Sequence, residues 1–219
     1  MSDTPAPTSY FDRAYRDYKA QNSPRKTDHY LDQIEALVAP GRHDLLDIGC
    51  GLGSFLRRAT ERFPNWSLYG SDIELSAVEA TQQLVSAATI VRASATESPF
   101  PAGSFDVVTA WDVIEHVPDR DAVAASVSQM LRPGGLLRLH DLVYDFAPEE
   151  TETVLESWLS GVPEDPEVAY TRAELAEHIR TEHSTFRWLF EPMLTAAGFE
   201  ITESAFRAKV FASYTCVRR

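Results

Sequence analysis

Basic charge and cysteine are scarce in this chain, a long apolar run is missing, and each shortage excludes something. Its 219 residues hold 20 Lys and Arg against 33 Asp and Glu, a net charge of −13. A chain this acidic is repelled by a phosphate backbone or an anionic membrane unless its cations gather in one patch. They do not gather: the basic pairs are Arg25-Lys26, Arg57-Arg58 and Arg218-Arg219. Neither nucleic acid nor a membrane surface is therefore expected as a partner. Two cysteines, Cys50 and Cys216, make no disulfide framework and suit a reducing compartment. No apolar stretch approaches the ~20 residues that cross a bilayer, and the first residues are polar and charged rather than signal-like, so a cytoplasmic location is expected. Cys/His spacings of the zinc-site type and a Gly-x-Ser-x-Gly elbow are absent as well. What is present is ordinary, with 44% apolar and 24% charged residues. That composition suits one soluble globular domain carrying an insertion, as monomer or homodimer.

The patterning divides the chain. Residues 1–26 read as a loose tail and an aromatic lid segment with Tyr10, Phe11, Tyr15 and Tyr18; residues 27–219 read as one domain. A helix is predicted after Thr27 or Asp28 as N-cap, with Leu31, Ile34, Leu37 and Val38 on one face and Pro40-Gly41 as its stop. Strands are predicted at 45–48, 67–73, 89–92, 104–111 and 136–143. Between them fall helices at 54–63, after a capping box Ser76…Glu79, and after Asp119 or Asp121 until Pro133-Gly134-Gly135. Strands alternating with helices mean a parallel sheet covered on both faces. The last two strands, 198–206 and 210–217, are joined too briefly for anything but an antiparallel pair.

Residues 144–192 are too long for a simple connection. Their first half, 145–170, holds eight acids and no Lys or Arg. It reads either as a solvated surface or as part of a lid over an active site. The second half carries a capping box, Thr171…Glu174, and a helix at 188–197. Tyr170, Phe186 and Trp188 add aromatic faces. Lys26 and Tyr30 are further possible lid contacts.

The chemical signal is densest at 45–53. A hydrophobic strand runs into Gly49-x-Gly51-x-Gly53, and a helix follows at once. Glycines let the backbone turn sharply and approach a ligand closely, and the helix start adds N–H groups. Alone, this also fits an ordinary tight turn. Two acids raise its meaning. Asp47 before the glycines suits a ligand with a positive centre, not a diphosphate. Asp72, ending the next strand, stands where an acid takes a ribose diol.

With these residues the sequence resembles the class I S-adenosylmethionine-dependent methyltransferases. The matching stretches are DIGCGLG at 47–53, GSDI at 70–73, SPFPAGSFDVV at 98–108, WDVIEHV at 111–117 and LRPGGLL at 131–137. The resemblance runs over about 45–143, and the terminal strand pair fits it. It implies an α/β fold, a Rossmann-like three-layer sandwich. Its mostly parallel seven-stranded sheet would have the last strand antiparallel, with a helical insertion after the fifth strand. It implies S-adenosylmethionine lying across Gly49, Cys50, Gly51 and Gly53 beside Asp47, with Asp72 on the ribose. Adenine would sit between Ile73 and the Ser94-Ala95 loop, and Ala110 and Trp111 would back the methionine part. Relatives often carry Asp where this chain has Ser94, and a neutral hydroxyl holds the adenine amino group more weakly.

The implied reaction is an in-line methyl transfer to a small-molecule acceptor, driven largely by alignment, with a base where the acceptor must lose a proton. His140 and His116 are the candidate catalytic residues, with Asp141 beside them. His116 equally suits a role in shaping the pocket. His178 and His183 are five apart, a spacing that does not bring them to one helix face, so no metal site is expected. Two other readings share part of the pattern. An NAD(P)-dependent oxidoreductase is disfavoured by Ser54 at the third glycine position, by Asp47 and by the antiparallel pair. A non-catalytic S-adenosylmethionine-binding partner is disfavoured by the intact glycine loop.

Overall fold

Leu45 and Leu46 are neighbours in sequence, yet they belong to two different apolar clusters, as do Val107 and Val108. Successive side chains of a strand point to opposite faces, so a strand apolar at every position must be covered on both sides. That pattern builds the sheet of the computed structural model, which describes residues 24–97, 99–162 and 171–219. The aromatic segment with Tyr10, Phe11, Tyr15 and Tyr18 lies outside the described residues.

Strand β1 (Asp44–Ile48) pairs in parallel with β2 (Ser67–Asp72) and β4 (Phe105–Trp111). β3 (Thr89–Arg92) extends the sheet beyond β2, and β5 (Leu131–Tyr144) extends it beyond β4, both parallel. β7 (Phe199–Arg207) and β8 (Phe211–Arg218) form the expected antiparallel pair, and β8 also runs antiparallel to β5. The order is β3-β2-β1-β4-β5-β8-β7. A turn at Ala208-Lys209, with φ of 53° and 60°, closes the terminal hairpin, and two left-handed residues match the twist of such a pair. The two-residue β6 (Thr185–Phe186) adds to the end of β5 at Val143 and Tyr144. It is too short to leave a periodic signal.

One face of the sheet is covered by α1 (Pro24–Leu37), α2 (Ser54–Arg62) and α3 (Leu75–Leu84), through Leu31, Ile34, Phe55, Leu56 and Val78. The other is covered by α4 (Arg120–Met130) and α7 (Arg187–Ala196), through Val123, Val127, Phe190 and Leu194. Helices α5 (Thr151–Ser160) and α6 (Arg172–Thr181) belong to the insertion. The three-layer α/β sandwich is the one the resemblance implied.

Three local expectations are corrected. α1 is already helical at Pro24, so neither Thr27 nor Asp28 caps it; the Asp28 carboxylate goes instead to Arg58 Nη2 at 2.6 Å. The box at Ser76 does not form, because α3 starts at Leu75 after Glu74. Asp72 Oδ1 accepts from Glu74 N at 2.9 Å and turns the chain before Ser76 is reached. α4 ends at Met130, ahead of the Pro-Gly-Gly stop, and the strand begins at Leu131. Arg132 draws this segment onto the sheet by pairing with Asp44 at 2.8 Å and Asp106 at 2.6 Å. By contrast Asp119 caps α4 through Ala122 N at 3.0 Å. The box at Thr171 and Glu174 forms as read.

Candidate active site at the carboxyl edge of the sheet

The glycine loop joins β1 to α2 with left-handed backbone at each glycine: φ is 64° at Gly49, 52° at Gly51 and 77° at Gly53. A Cβ at Gly49 would stand 2.5 Å from Val113 Cγ2, and one at Gly53 would stand 2.8 Å from Thr81 Cγ2. Both positions need glycine for conformation and for space. Asp72, at the end of β2, holds the loop: its Oδ2 accepts from Gly51 N at 2.9 Å while Oδ1 takes Glu74 N. Burial raises the Asp72 carboxyl, and these backbone donors pull against the rise.

Behind the loop, Asp47 is almost fully buried and accepts from Thr109 Oγ1 at 2.7 Å. Burial pushes its carboxyl up to about 8, against the Thr109 bond and with Asp72 adding to the rise. Cys50 is buried and its thiol is pushed up by desolvation, which makes it inert rather than nucleophilic. Ile73 stands next to Asp72 with 59% of its surface exposed. The Ser94 hydroxyl is engaged in its own turn, on Thr96 Oγ1 at 2.8 Å and Thr96 N at 3.2 Å. Ala95 packs against the core beside it.

The end of β4 carries the second half of the site. Ala110 is buried, and Trp111 lies flat on Tyr30 of α1, with ring centroids 4.0 Å apart and planes 1° from parallel. The Trp111 indole N–H is buried with no hydrogen-bond partner among the described residues. Asp112 follows at φ 56°, a left-handed position that Asp tolerates better than most residues. Its Oδ1 accepts from His140 Nδ1 at 2.8 Å and its Oδ2 from Lys26 Nζ at 3.0 Å. Burial would raise this carboxyl, but His140 and Lys26 outweigh it and hold it well below the usual range. The His140 ring sits between Tyr30, at 6.0 Å, and Phe211, at 5.7 Å. Trp158 of the insertion meets the far edge of Phe211 at 5.4 Å.

Asp141, read from the sequence as a possible acid–base group, has a different task. Its carboxylate accepts from the backbone N–H of Val113 (3.1 Å), Ile114 (2.6 Å), Glu115 (3.0 Å) and Leu142 (2.9 Å). Four donors leave it no lone pair for chemistry, and it builds the short 3-10 turn Ile114–His116. His116 sits on that turn and donates through Nδ1 to Glu182 Oε2 at 2.7 Å, across to the end of α6. The structure thus gathers His140, Trp111 and Ala110 at one place and puts His116 in another group. Asp112, bonded to His140 and Lys26, was not among the candidate residues read from the sequence. Its signal was its place in WDVIEHV, an acid directly after a buried strand.

A separate cavity of about 350 Å³ lies beyond the end of β5, lined by Tyr144, Asp145, Phe146, Ala147, Arg187, Trp188 and Glu191. It shares no residue with the glycine loop. Among the described residues no helix is long and apolar enough to cross a membrane.

A family model described as a methyltransferase domain matches residues 46–139. Nocamycin O-methyltransferase of Saccharothrix syringae is 40% identical over 102 residues, which cover 44% of this chain and 36% of that protein. The match therefore spans little more than a third of that relative's length. 27-O-demethylrifamycin SV methyltransferase of Amycolatopsis mediterranei is 28% identical over 89% of this chain and 82% of its own length. Phosphoethanolamine N-methyltransferase 2 of Haemonchus contortus, solved with S-adenosyl-L-methionine, matches the fold with a TM-score of 0.69 at 16% identity. That match takes in 99% of this chain and 60% of that one.

Proposed function

We propose that the chain is a class I S-adenosylmethionine-dependent methyltransferase, a reading supported by the methyltransferase-domain match over 46–139 and by the methyltransferases it is similar to, and that it methylates a hydroxyl of a small, largely apolar acceptor, with His140 as the base. The observation that carries this is the row Lys26–Asp112–His140, linked at 3.0 and 2.8 Å and walled by Tyr30 and Phe211.

The residues present fit the cofactor. Gly49 and Gly53 pack against Val113 and Thr81 with no room for a Cβ, which holds the left-handed loop between β1 and α2 in the shape that offers its backbone to a ligand. Each Asp72 oxygen spends one lone pair on a backbone N–H and keeps acceptor capacity for a diol. Ile73 offers an exposed apolar face for adenine. Asp47 is a buried acid, pushed toward its neutral form by burial, whose ionised form a cationic ligand would favour. When bound, S-adenosylmethionine supplies an activated methyl group.

The chain's own residues then align and deprotonate. Asp112 holds His140 as the Nδ1–H tautomer, so Nε2 is the nitrogen that takes the acceptor's proton. Lys26 keeps Asp112 ionised, and Asp112 in turn stabilises the imidazolium that forms. The aromatic rings around His140 leave its side chain about 10% exposed, which strengthens its bond to Asp112. The segment 144–192 serves as a lid and as one wall of the acceptor pocket, with Trp158 reaching Phe211 at 5.4 Å. The net charge of −13 favours a free small molecule over a nucleic acid.

The test pairs binding with turnover. S-adenosylhomocysteine should bind by calorimetry. His140→Gln and Asp112→Asn should each lower kcat on a hydroxylated acceptor by about 10²–10⁴-fold with that binding retained. Full activity in His140→Gln would remove the base assignment, and absent binding would remove the whole reading.

A further inference from the structure

The hairpin of β7 and β8 turns at the carboxyl end of β5, beside the proposed base, and it carries a cation that methyl transfer as argued above does not use. Phe211 opens β8 opposite Arg207 of β7 on one side and Leu142 of β5 on the other. Side chains opposite one another across a ladder share a face of the sheet. Leu142 is two residues from His140, so Arg207, Phe211 and His140 stand on the face that α1 covers. The distances agree. Arg207 Cζ lies 4.4 Å from the centre of the Phe211 ring, and that ring stacks on His140 at 5.7 Å with planes 17° apart. The charge of Arg207 also reaches the Tyr30 hydroxyl: burial and Asp112 raise that phenol, while Arg207 and Arg138 pull it back down. Arg207 is exposed. Among the described residues no carboxylate pairs with it, whereas Arg58, Arg62, Arg132 and Arg187 are each spent on acids. In a chain of net charge −13, a cation left without an acid beside the base is placed to receive one from outside.

We propose that Arg207 binds a carboxylate of the acceptor, which makes the acceptor a hydroxylated organic acid with an apolar body between its two ends. This deepens the methyl-transfer reading of the same pocket and rests on it. A guanidinium held over a ring keeps its in-plane N–H donors free, and their fork matches the two oxygens of a carboxylate. Phe211 covers one side of that pair and keeps water from it, which strengthens the attraction. Arg207 and His140 both lie against the Phe211 ring, so one small molecule reaches both. Tyr30 flanks His140 and Trp158 meets Phe211, so the part of the acceptor between carboxylate and reacting hydroxyl lies among rings. The acid excess of the chain repels a phosphate dianion more than a singly charged carboxylate. Arg207 touches no reacting atom, and the carboxylate keeps its charge throughout the reaction. Its contact is therefore equal in ground and transition states, and it acts on KM rather than on kcat.

The probes are a hydroxybenzoate, a hydroxycinnamate and a hydroxynaphthoate, each beside its methyl ester, and a hydroxyphenyl phosphate. Each is titrated by calorimetry into the full chain loaded with S-adenosylhomocysteine, and each is assayed for turnover with S-adenosylmethionine. At least one acid should bind about 10-fold or more tightly than its ester, with a KM lower to match. Arg207→Gln should remove that preference by raising the Kd and KM of the acid about 10-fold or more, with kcat and the ester unchanged. Arg207→Lys should recover part of it. Lys209→Gln removes another exposed cation of the same hairpin and should leave the preference intact. Added sodium chloride should weaken the acid and spare the ester. Acid and ester bound equally by the wild type, or a preference that survives Arg207→Gln, overturns the proposal. So does a phosphate preferred over every carboxylate, or no binding of any acid. Esters methylated as well as acids overturn it while the methyl-transfer reading stands. Acids that bind through Arg207 and are never methylated support the carboxylate site and count against His140 as base.

Discussion

Single carboxylates in this protein differ in role because their donors differ. Asp141 is saturated by four backbone N–H groups and is scaffolding; Asp112 is held by two side-chain donors, His140 and Lys26. Asp72 stands between, with one N–H on each oxygen. Asp72→Ala should remove two bonds to the ribose worth about 1.5–3 kcal/mol each. Calorimetry should then show S-adenosylhomocysteine binding weaker by at least about 100-fold, and unchanged affinity would sink the ribose role. Asp47 supplies a pH test. Its folded carboxyl titrates at about 8, against about 4 in the unfolded chain. Between those values the folded state holds the extra proton, so stability falls as pH rises, by at most about 1.4 kcal/mol per pH unit. Glu115, pushed up to about 8 mainly by burial, adds in the same direction. Urea melts of Asp47→Asn from pH 5 to 8 should be visibly flatter than those of the wild type. Parallel slopes would show that Asp47 is ionised in the folded protein.

Among the elements, those around the glycine loop are anchored on two large apolar clusters, while α5 of the insertion lays partly buried Val154, Leu155 and Trp158 on a small third cluster of Leu142, Tyr144, Phe146 and Val210. In α5 only Leu159 is buried, and α6 buries no residue. Segments with so few buried contacts open at low cost, which is the property a lid needs. Amides of α5 and α6 should exchange fast in the free protein and slow when S-adenosylhomocysteine and an acceptor are both bound. Equal protection in all states would move the acceptor pocket to α1, where Tyr30 already covers Trp111. The capping signals of these elements also show where local reading holds. The Thr171 box forms because nothing else competes for its backbone, whereas the Ser76 box loses to Asp72, a residue committed to the glycine loop.

For the molecule as a whole, the acid excess governs partners. With a net charge of −13, duplex DNA and RNA should show no measurable binding at physiological salt. A gel shift at micromolar protein would contradict this. The described cations are largely spent internally: Arg58 on Asp28, Arg62 on Asp32 and Glu35, Arg132 on Asp44 and Asp106. Two of these arginines clamp α1 against α2, and buried Arg138 on β5 reaches Gln33 of α1 at 2.5 Å. The helix that holds Lys26 and Tyr30 over the site is thereby tied by three arginines, two from α2 and one from β5.

The sequence by itself determined the doubly covered parallel sheet, the glycine loop, the acid at the end of β2 and the closing antiparallel pair. Each is written in contiguous residues: apolar periodicity assigns faces, glycine spacing sets the turn, and a short link allows one strand direction. Only the tertiary structure decided which charged groups meet. Asp112 finds His140 across 28 positions and Lys26 across 86, and His116 finds Glu182 across 66. His178 and His183, five apart in sequence, were a poor pair for a metal. His116, brought from another element, shares Glu182 with His178, a meeting that local spacing could not show. The physical reason is that periodicity records which side of an element is buried, while the partner of a buried charge is set by how separate elements pack.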